Sequence, residues 1–218
     1  MLDRVIRFLL LCEGTSDRAL VPHLRQLLSY CGAAEVVGTA VALANIRDPG
    51  EGRASVLERK MRVVFSTESE FDVLFVHRDA DSAGVEARAG EIAQAACNAE
   101  LAIERVNVIP VRTTEAWILL DETEIRRVAG NPRGRQSLNL PRPSRVEQVG
   151  DPKSILEAAL VAASNCQGHR LRKFRKKFQQ HRRILLERLP VGGALAEVPA
   201  WARLRQEISD LVSRTASV

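Results

Sequence analysis

Five acidic residues lie close to the ends of short apolar segments. Glu13 follows FLLLC and Asp17 comes four residues later, Asp79 and Asp81 follow FDVLFVH, and Glu115 follows RVNVIPV. In an open parallel sheet, functional residues collect at the carboxyl ends of the strands. Asp79 and Asp81 would face the same side if their segment is extended. Clustered carboxylates repel one another without a cation, and oxygen ligands favour Mg²⁺ or Mn²⁺ over Zn²⁺. The spacing therefore predicts a magnesium or manganese site formed by these acids.

Each of these acids also has a purely structural interpretation. The helix dipole alone favours Asp17 in a first helical turn. Asp81 is suited to cap the helix that follows it, Asp79 to form an Asx-turn, and Glu115 to occupy a first helical turn. Both interpretations stay open for each residue. The convergence of several acids at one sheet edge favours the metal site as the hypothesis.

Apolar periodicity predicts the elements that position these acids. Apolar runs of strand length, each followed by helical spacing or a turn, cover residues 4–12, 36–44, 71–77 and 105–111. Strands that alternate with helices imply crossover connections and a mostly parallel sheet with helices on both faces. We therefore expect an open, Rossmann-like α/β domain over residues 1–129.

The character of the sequence changes after this domain. Proline and glycine are frequent in residues 130–150, which predicts an exposed loop. Residues 151–218 show helical spacing over 154–163, 169–189 and 199–213, with no strand between them. We expect an all-helical C-terminal region.

One predicted helix of this region carries a run of cations. The stretch HRLRKFRKKFQQHRR contains eight lysines and arginines and no acid: Arg170, Arg172, Lys173, Arg175, Lys176, Lys177, Arg182 and Arg183. Such a run is compatible with a solvated helix face, but it repels itself unless an anionic partner is present. We predict that these side chains bind nucleic-acid phosphates.

The composition excludes several classes of protein. With 45% apolar and 27% charged residues among 218, the chain is typical of globular proteins. No stretch approaches the roughly 18 apolar residues that span a bilayer, so no membrane partner is expected. The four cysteines form no C-x-x-C pair and are expected to be reduced, buried thiols of a cytoplasmic protein. The net charge of +5 agrees with a polyanionic partner.

The motifs that contain the acids resemble the Toprim fold over about residues 4–165. CEGTSD and HRDAD are similar to the motifs of type II topoisomerases, bacterial primases and overcoming-lysogenization-defect nucleases. TTEAWILLD and DPKSIL are similar to a compact prokaryotic Toprim-like family of uncharacterised function. By this resemblance Glu13 matches the first-strand glutamate, Asp79 and Asp81 match the metal-binding aspartates, and Asp17 matches an acid of the nuclease branch. Topoisomerases and primases are excluded, because the only tyrosine is Tyr30 in a predicted helix and no zinc ribbon is present.

The resemblance implies a Mg²⁺-dependent, nuclease-like enzyme that cleaves phosphodiesters of nucleic acid, with DNA favoured over RNA. Glu13, Asp79 and Asp81 would be its catalytic residues. It also implies an ATPase partner of AAA or ABC type and a role in phage defence. The chain has no P-loop motif G-x-x-x-x-G-K-[ST], so any ATP dependence must come from another chain.

Two other functions fit parts of the sequence. One alternative is a non-catalytic module that binds nucleic acid or an ATPase through a Toprim scaffold. DADSA also distantly resembles the nucleophile loop of haloacid dehalogenase-type phosphatases, but that loop follows the first strand, whereas here it follows the third. A Mg²⁺-dependent cleavage assay separates the nuclease from the binding module.

Overall fold

The computed structural model describes residues 2–50, 53–68 and 70–215. The chain divides into two compact units, one formed by residues 1–109 with 203–218 and the other by 110–202. This division differs from the predicted one, because residues 110–129 group with the helical unit and 203–218 group with the sheet unit. Within the described ranges, no helix is long and apolar enough to cross a membrane.

The first unit is built on four parallel strands. They are β1 (Leu2–Cys12), β2 (Ala33–Ala42), β3 (Val73–His77) and β4 (Glu104–Val108), in the spatial order β2-β1-β3-β4. The predicted α/β fold with a mostly parallel sheet and a helical C-terminal region is confirmed. Because every strand runs in the same direction, all four carboxyl ends meet at one edge of the sheet.

Helices connect the strands and also occur throughout the second unit. They are α1 (Val21–Tyr30), α2 (Val56–Thr67), α3 (Val85–Asn98), α4 (Glu115–Ile118), α5 (Glu122–Val128), α6 (Pro152–Ser164), α7 (Gly168–Arg175), α8 (Phe178–Glu187) and α9 (Pro199–Thr215). Short 3-10 helices cover Thr15–Leu20, Leu43–Asn45, Pro143–Gln148 and Gly193–Glu197.

The second half of strand β1, residues 8–12, is buried on both of its faces. Leu9 and Leu11 belong to a core cluster with Met61 of α2 and Ile92 of α3. Their neighbours Phe8 and Leu10 point to the opposite face and are also buried. A strand that is covered on both faces needs a continuous apolar sequence, which is what FLLLC provides.

A glycine in β2 makes room for an aromatic ring of β1. Gly38 is the register partner of Phe8, and a Cβ at Gly38 would lie 2.2 Å from Phe8 Cζ. The Phe8 ring in turn packs edge-to-face against Phe75 of β3, with 5.1 Å between ring centroids. A larger side chain at residue 38 would displace this ring from the sheet.

Two predictions for the second unit are corrected by the structure. Residues 130–150 are not a wholly exposed loop, because they include the 3-10 helix Pro143–Gln148, and Leu138 and Val146 are buried. The predicted helix 169–189 is interrupted at Lys176 and Lys177, which form a turn between α7 and α8. Like charges four residues apart, such as those of Arg172 and Lys176, destabilise a continuous helix at this point.

The cysteines differ in burial, although all four are free. Cys12 at the end of β1 is buried, as predicted. Cys97 in α3 is exposed, and Cys31 and Cys166 are half-buried, so the prediction of four buried thiols is wrong for these three. Helical periodicity explains Cys97, because the buried positions of α3 are Ile92, Ala95 and Ala96 on its other side.

Candidate functional site

Glu13 and Asp79 lie together at the carboxyl edge of the sheet. β1 and β3 are neighbouring strands with Leu11 opposite Val76, so the residues that follow them emerge side by side. The backbone N–H of Asp79 donates a hydrogen bond of 3.4 Å to Glu13 Oε2. The Glu13 side chain is 48% exposed and that of Asp79 is 20% exposed. The solvent-facing carboxylate of Glu13 therefore contacts the backbone of Asp79, whose own side chain is largely buried.

Asp17 lies in the 3-10 helix that follows Glu13, and its side chain is buried. Its Oδ2 accepts a 3.0 Å hydrogen bond from the backbone N–H of Gly14. A Cβ at residue 14 would lie 3.2 Å from this oxygen, so glycine permits the close approach of the carboxylate. Asp17 therefore stabilises the turn after β1.

His77 is a residue of this edge that the sequence analysis did not select. It ends β3 and is fully buried, with Nε2 3.5 Å from Asp79 Oδ1 and Nδ1 3.9 Å from Asp17 Oδ2. Among the described residues, neither ring nitrogen nor Asp79 Oδ1 has a hydrogen-bond partner. Buried polar atoms without partners are rare, and each of them calls for an explanation such as strain, a bound water or ion, or a catalytic role. The signal in the sequence was a polar residue at the end of an apolar strand, next to RDAD.

Asp81 departs from the predicted geometry. Its φ of 47° lies in the left-handed region, and a turn over this segment brings the backbone N–H of Gly84 to 3.2 Å from the oxygen of Ala80. The segment is therefore not extended, so the geometric reason for expecting Asp79 and Asp81 on the same side does not hold. The exposed Asp81 still acts on this edge, because the pKa of Arg88 is raised by hydrogen bonds with Glu91 and further by the charges of Glu13 and Asp81.

Two arginines offset the negative charge of this edge. Arg78 Nε lies 3.6 Å from Glu13 Oε2. Arg88 Nε donates to the backbone oxygen of Asp79 at 3.2 Å, and its Nη1 contacts both oxygens of Glu91 at 2.8 and 3.1 Å. No group of three or more His, Cys, Asp or Glu residues in the described ranges is arranged to hold a metal. The structure therefore brings Glu13 into contact with the Asp79 backbone, but within the described ranges it does not gather the five predicted ligands into one metal-binding group.

Glu115 and Arg182 form a buried ion pair in the second unit. Arg182 Nε lies 2.5 Å from Glu115 Oε1, and its Nη2 donates to Thr114 Oγ1 at 2.8 Å. Only 5% of the Glu115 side chain and 8% of the Arg182 side chain are exposed. Two predictions are corrected here. Glu115 is paired with Arg182 and so is not placed to bind a metal, and Arg182 is buried and so is inaccessible to a phosphate.

The remaining cations of the predicted basic run form an exposed surface. We call Arg170, Arg172, Lys173, Arg175, Lys176 and Lys177 the basic surface; all six are exposed, and no residue of α7 is buried. No ion pair within the described part of the chain involves any of the six. Arg183 is also exposed, but it contacts Glu187 at 2.7 Å. The structure thus separates seven exposed cations from the buried Arg182.

Comparisons with known proteins return no match, whether to protein-family models, to curated proteins or to solved structures.

Proposed function

We propose that the protein is a metal-dependent phosphodiesterase that acts on nucleic acid. The reaction would occur at Glu13 and Asp79, and the basic surface would hold the polyanion. One observation carries the proposal: two neighbouring parallel strands deliver a carboxylate each to the same edge, with the Asp79 backbone bound to Glu13 at 3.4 Å. Two such charges attract a divalent cation.

The donor set fits Mg²⁺ or Mn²⁺. Asp79 Oδ1 is buried and has no hydrogen-bond partner among the described residues, and the exposed Glu13 faces solvent. Mg²⁺ keeps several waters and is commonly held by one or two carboxylates together with substrate phosphates. When bound, it would activate a water molecule and stabilise the leaving oxygen. Two carboxylates are therefore sufficient, without Asp81 or Glu115.

The other residues of the edge have separate roles in this proposal. His77 lies 3.5 Å from Asp79 Oδ1 and would fix the orientation of that carboxylate. Arg78 lies beside Glu13 and would stabilise negative charge that develops on a phosphate. Glu13 is more exposed than Asp79, so it would serve as a ligand or as the general acid or base.

The basic surface supports nucleic acid as the substrate. Six exposed cations without ion-pair partners in the described chain repel one another, and a phosphate backbone removes this repulsion with release of counterions. Contacts of this kind carry no base sequence information. The preference for DNA, the partner ATPase and the role in phage defence stay predictions from the sequence.

Binding of Mn²⁺ provides the first experiment. Electron paramagnetic resonance of the full chain titrated with Mn²⁺ should show a bound ion, and Asp79→Asn should weaken its affinity at least tenfold. Glu35→Gln is the matched control, because Glu35 is an exposed acid near the start of β2, at the opposite edge of the same sheet. No bound Mn²⁺, or equal affinity in Asp79→Asn, would contradict the proposed site.

Cleavage provides the second experiment. Labelled single-stranded and duplex DNA and RNA are incubated with the protein in Mg²⁺, Mn²⁺ or chelator. Glu13→Gln should keep nucleic-acid binding and reduce cleavage by about 10² or more, the scale of a lost acid or base. A wild-type protein that binds Mn²⁺ and nucleic acid but cleaves none of these substrates would favour the non-catalytic binding module.

A further inference from the structure

A groove between α2 and α3 shares only Arg78 with the residues of the reaction proposed above. Its volume is about 680 Å³, which lies within the range of ligand sites. Three arginines line it, Arg53, Arg78 and Arg88, together with two acids, Glu58 and Glu91. A groove of this size accommodates a single nucleotide, and the arginines supply the donors that a phosphate requires.

The acids of the groove are already neutralised by neighbouring side chains. Glu58 accepts hydrogen bonds from Arg62 at 3.2 Å and from Asn98 at 3.0 Å, and these bonds lower its pKa. Glu91 is held by Arg88 at 2.8 Å. Because Arg62 offsets Glu58 and Arg88 offsets Glu91, the remaining charge of the groove is positive.

Arg78 connects the groove to the candidate active site. Its guanidinium lies 3.6 Å from Glu13 Oε2 and 3.9 Å from Glu91 Oε2, and both distances exceed that of a hydrogen bond. Arg78 Nε has no hydrogen-bond partner among the described residues. A phosphate beside Arg78 would therefore gain a charged donor whose guanidinium is near two carboxylates but is hydrogen-bonded to neither.

Polar groups line the rest of the groove. Ser55, the N-cap of α2, is followed by the first residues of that helix, and the helix dipole favours an anion at this end. The side chains of Gln94 and Asn98 are joined by a 2.7 Å hydrogen bond on α3. Their amides offer donors and acceptors to a sugar or a base.

We infer that this groove binds the nucleotide adjacent to the cleaved phosphodiester. The neighbouring phosphate contacts Arg53, Arg78 and Arg88, and the nucleoside lies against Gln94 and Asn98. The inference rests on the proposed function, because the nucleotide in the groove belongs to the same strand that is cleaved at Glu13 and Asp79. A free nucleotide has the same phosphate chemistry, so the test must separate it from a strand.

The test measures binding in chelator, where no cleavage occurs. Fluorescence anisotropy of a labelled dT12 strand is followed over a range of salt concentrations for the full chain and its variants. Arg53→Gln and Arg88→Gln should each weaken binding about tenfold, as expected for a lost charged hydrogen bond. Each should also lower the salt slope by about 0.7, the value for one phosphate of a single strand.

Arg47→Gln is the matched control. Arg47 is exposed, precedes Arg53 by six residues and does not line the groove. The affinity of the Arg47→Gln variant for dT12 should therefore stay within twofold of that of the wild type. Equal affinities in the Arg47, Arg53 and Arg88 variants would overturn the inference. Displacement of dT12 by micromolar thymidine monophosphate would also overturn it, since that result assigns the groove to a free nucleotide.

These outcomes are distinguishable from failure of the proposed function. If the groove variants bind dT12 normally and the protein still cleaves, the inference about the groove is rejected and the proposed function stands. A protein that loses dT12 affinity in the groove variants but never binds Mn²⁺ or cleaves rejects the catalytic proposal and keeps the groove as a strand-binding site.

Discussion

Replacing Arg182 with alanine should greatly lower the free energy of unfolding of the second unit. The substitution leaves the carboxylate of Glu115 buried at 5% exposure, with its 2.5 Å cation removed. Removing one partner of a buried ion pair typically costs about 3–5 kcal/mol, because the remaining charge is uncompensated. With an m-value of about 2–3 kcal/mol/M, the urea midpoint should fall by about 1–2.5 M.

Tryptophan fluorescence is the appropriate assay for this variant. Both tryptophans of the chain, Trp117 and Trp201, lie in the second unit and pack edge-to-face with 5.1 Å between ring centroids. Their emission during urea denaturation therefore reports this unit. Arg183→Ala is the matched control, because Arg183 is the next residue of α8 but its side chain is 68% exposed. Its pair with Glu187 should contribute no more than about 0.5 kcal/mol.

A double variant tests whether the ion pair itself is responsible. Arg182→Met combined with Glu115→Leu removes both charges, and it should recover most of the stability that Arg182→Ala loses. The reasoning would be refuted if Arg182→Ala and Arg183→Ala shifted the urea midpoint equally. It would also be refuted if the double variant were as unstable as the sum of its single variants, since no coupling would then exist.

Three further predictions follow from other contacts. Four residues of the basic surface can be replaced by glutamine: Arg172, Lys173, Lys176 and Lys177. The salt slope of duplex DNA binding should then fall by about 3.6, and an unchanged slope would exclude this surface as the contact. Hydrogen bonds with Arg59 lower the pKa of Asp48 from 3.8 to about 2, so the stability they give is present above about pH 4 and is lost as the pH falls towards 2. Asp48→Asn should flatten the dependence of the urea midpoint on pH in that window, and an unaltered pH dependence would argue against the pair. Burial, with a smaller contribution from Asp17, raises the pKa of Cys12 to about 12. A thiol reagent at pH 8 should therefore modify the exposed Cys97 and not Cys12 in the folded protein. Peptide mass spectrometry measures this selectivity, and equal modification of both cysteines would contradict it.

Several features of the site could be predicted because they depend on residues close together in the chain. A continuous apolar run predicts a buried strand, and parallel strands bring their carboxyl ends to one edge. The placement of Glu13 and Asp79 at one edge follows from these two rules, whereas their contact requires β1 and β3 to be neighbours. The position of Asp81 does not, because a turn with φ of 47° replaces the extended segment that the prediction assumed. His77 was missed because one of the two acids near its ring, Asp17, comes from the segment that follows the first strand, which is distant in the chain.

The sequence by itself determined the parallel α/β architecture, the acids at its carboxyl edge and the presence of a long cationic run. Only the tertiary structure decided which of these charges are accessible. Arg182 and Arg183 are adjacent and chemically identical, yet Arg182 is buried against Glu115, 67 residues away, whereas Arg183 faces solvent. Local periodicity gives the face of a helix on which a side chain lies, but the opposing charge comes from a distant element. Whether a cation binds a phosphate or a carboxylate of its own chain therefore depends on which helices pack together.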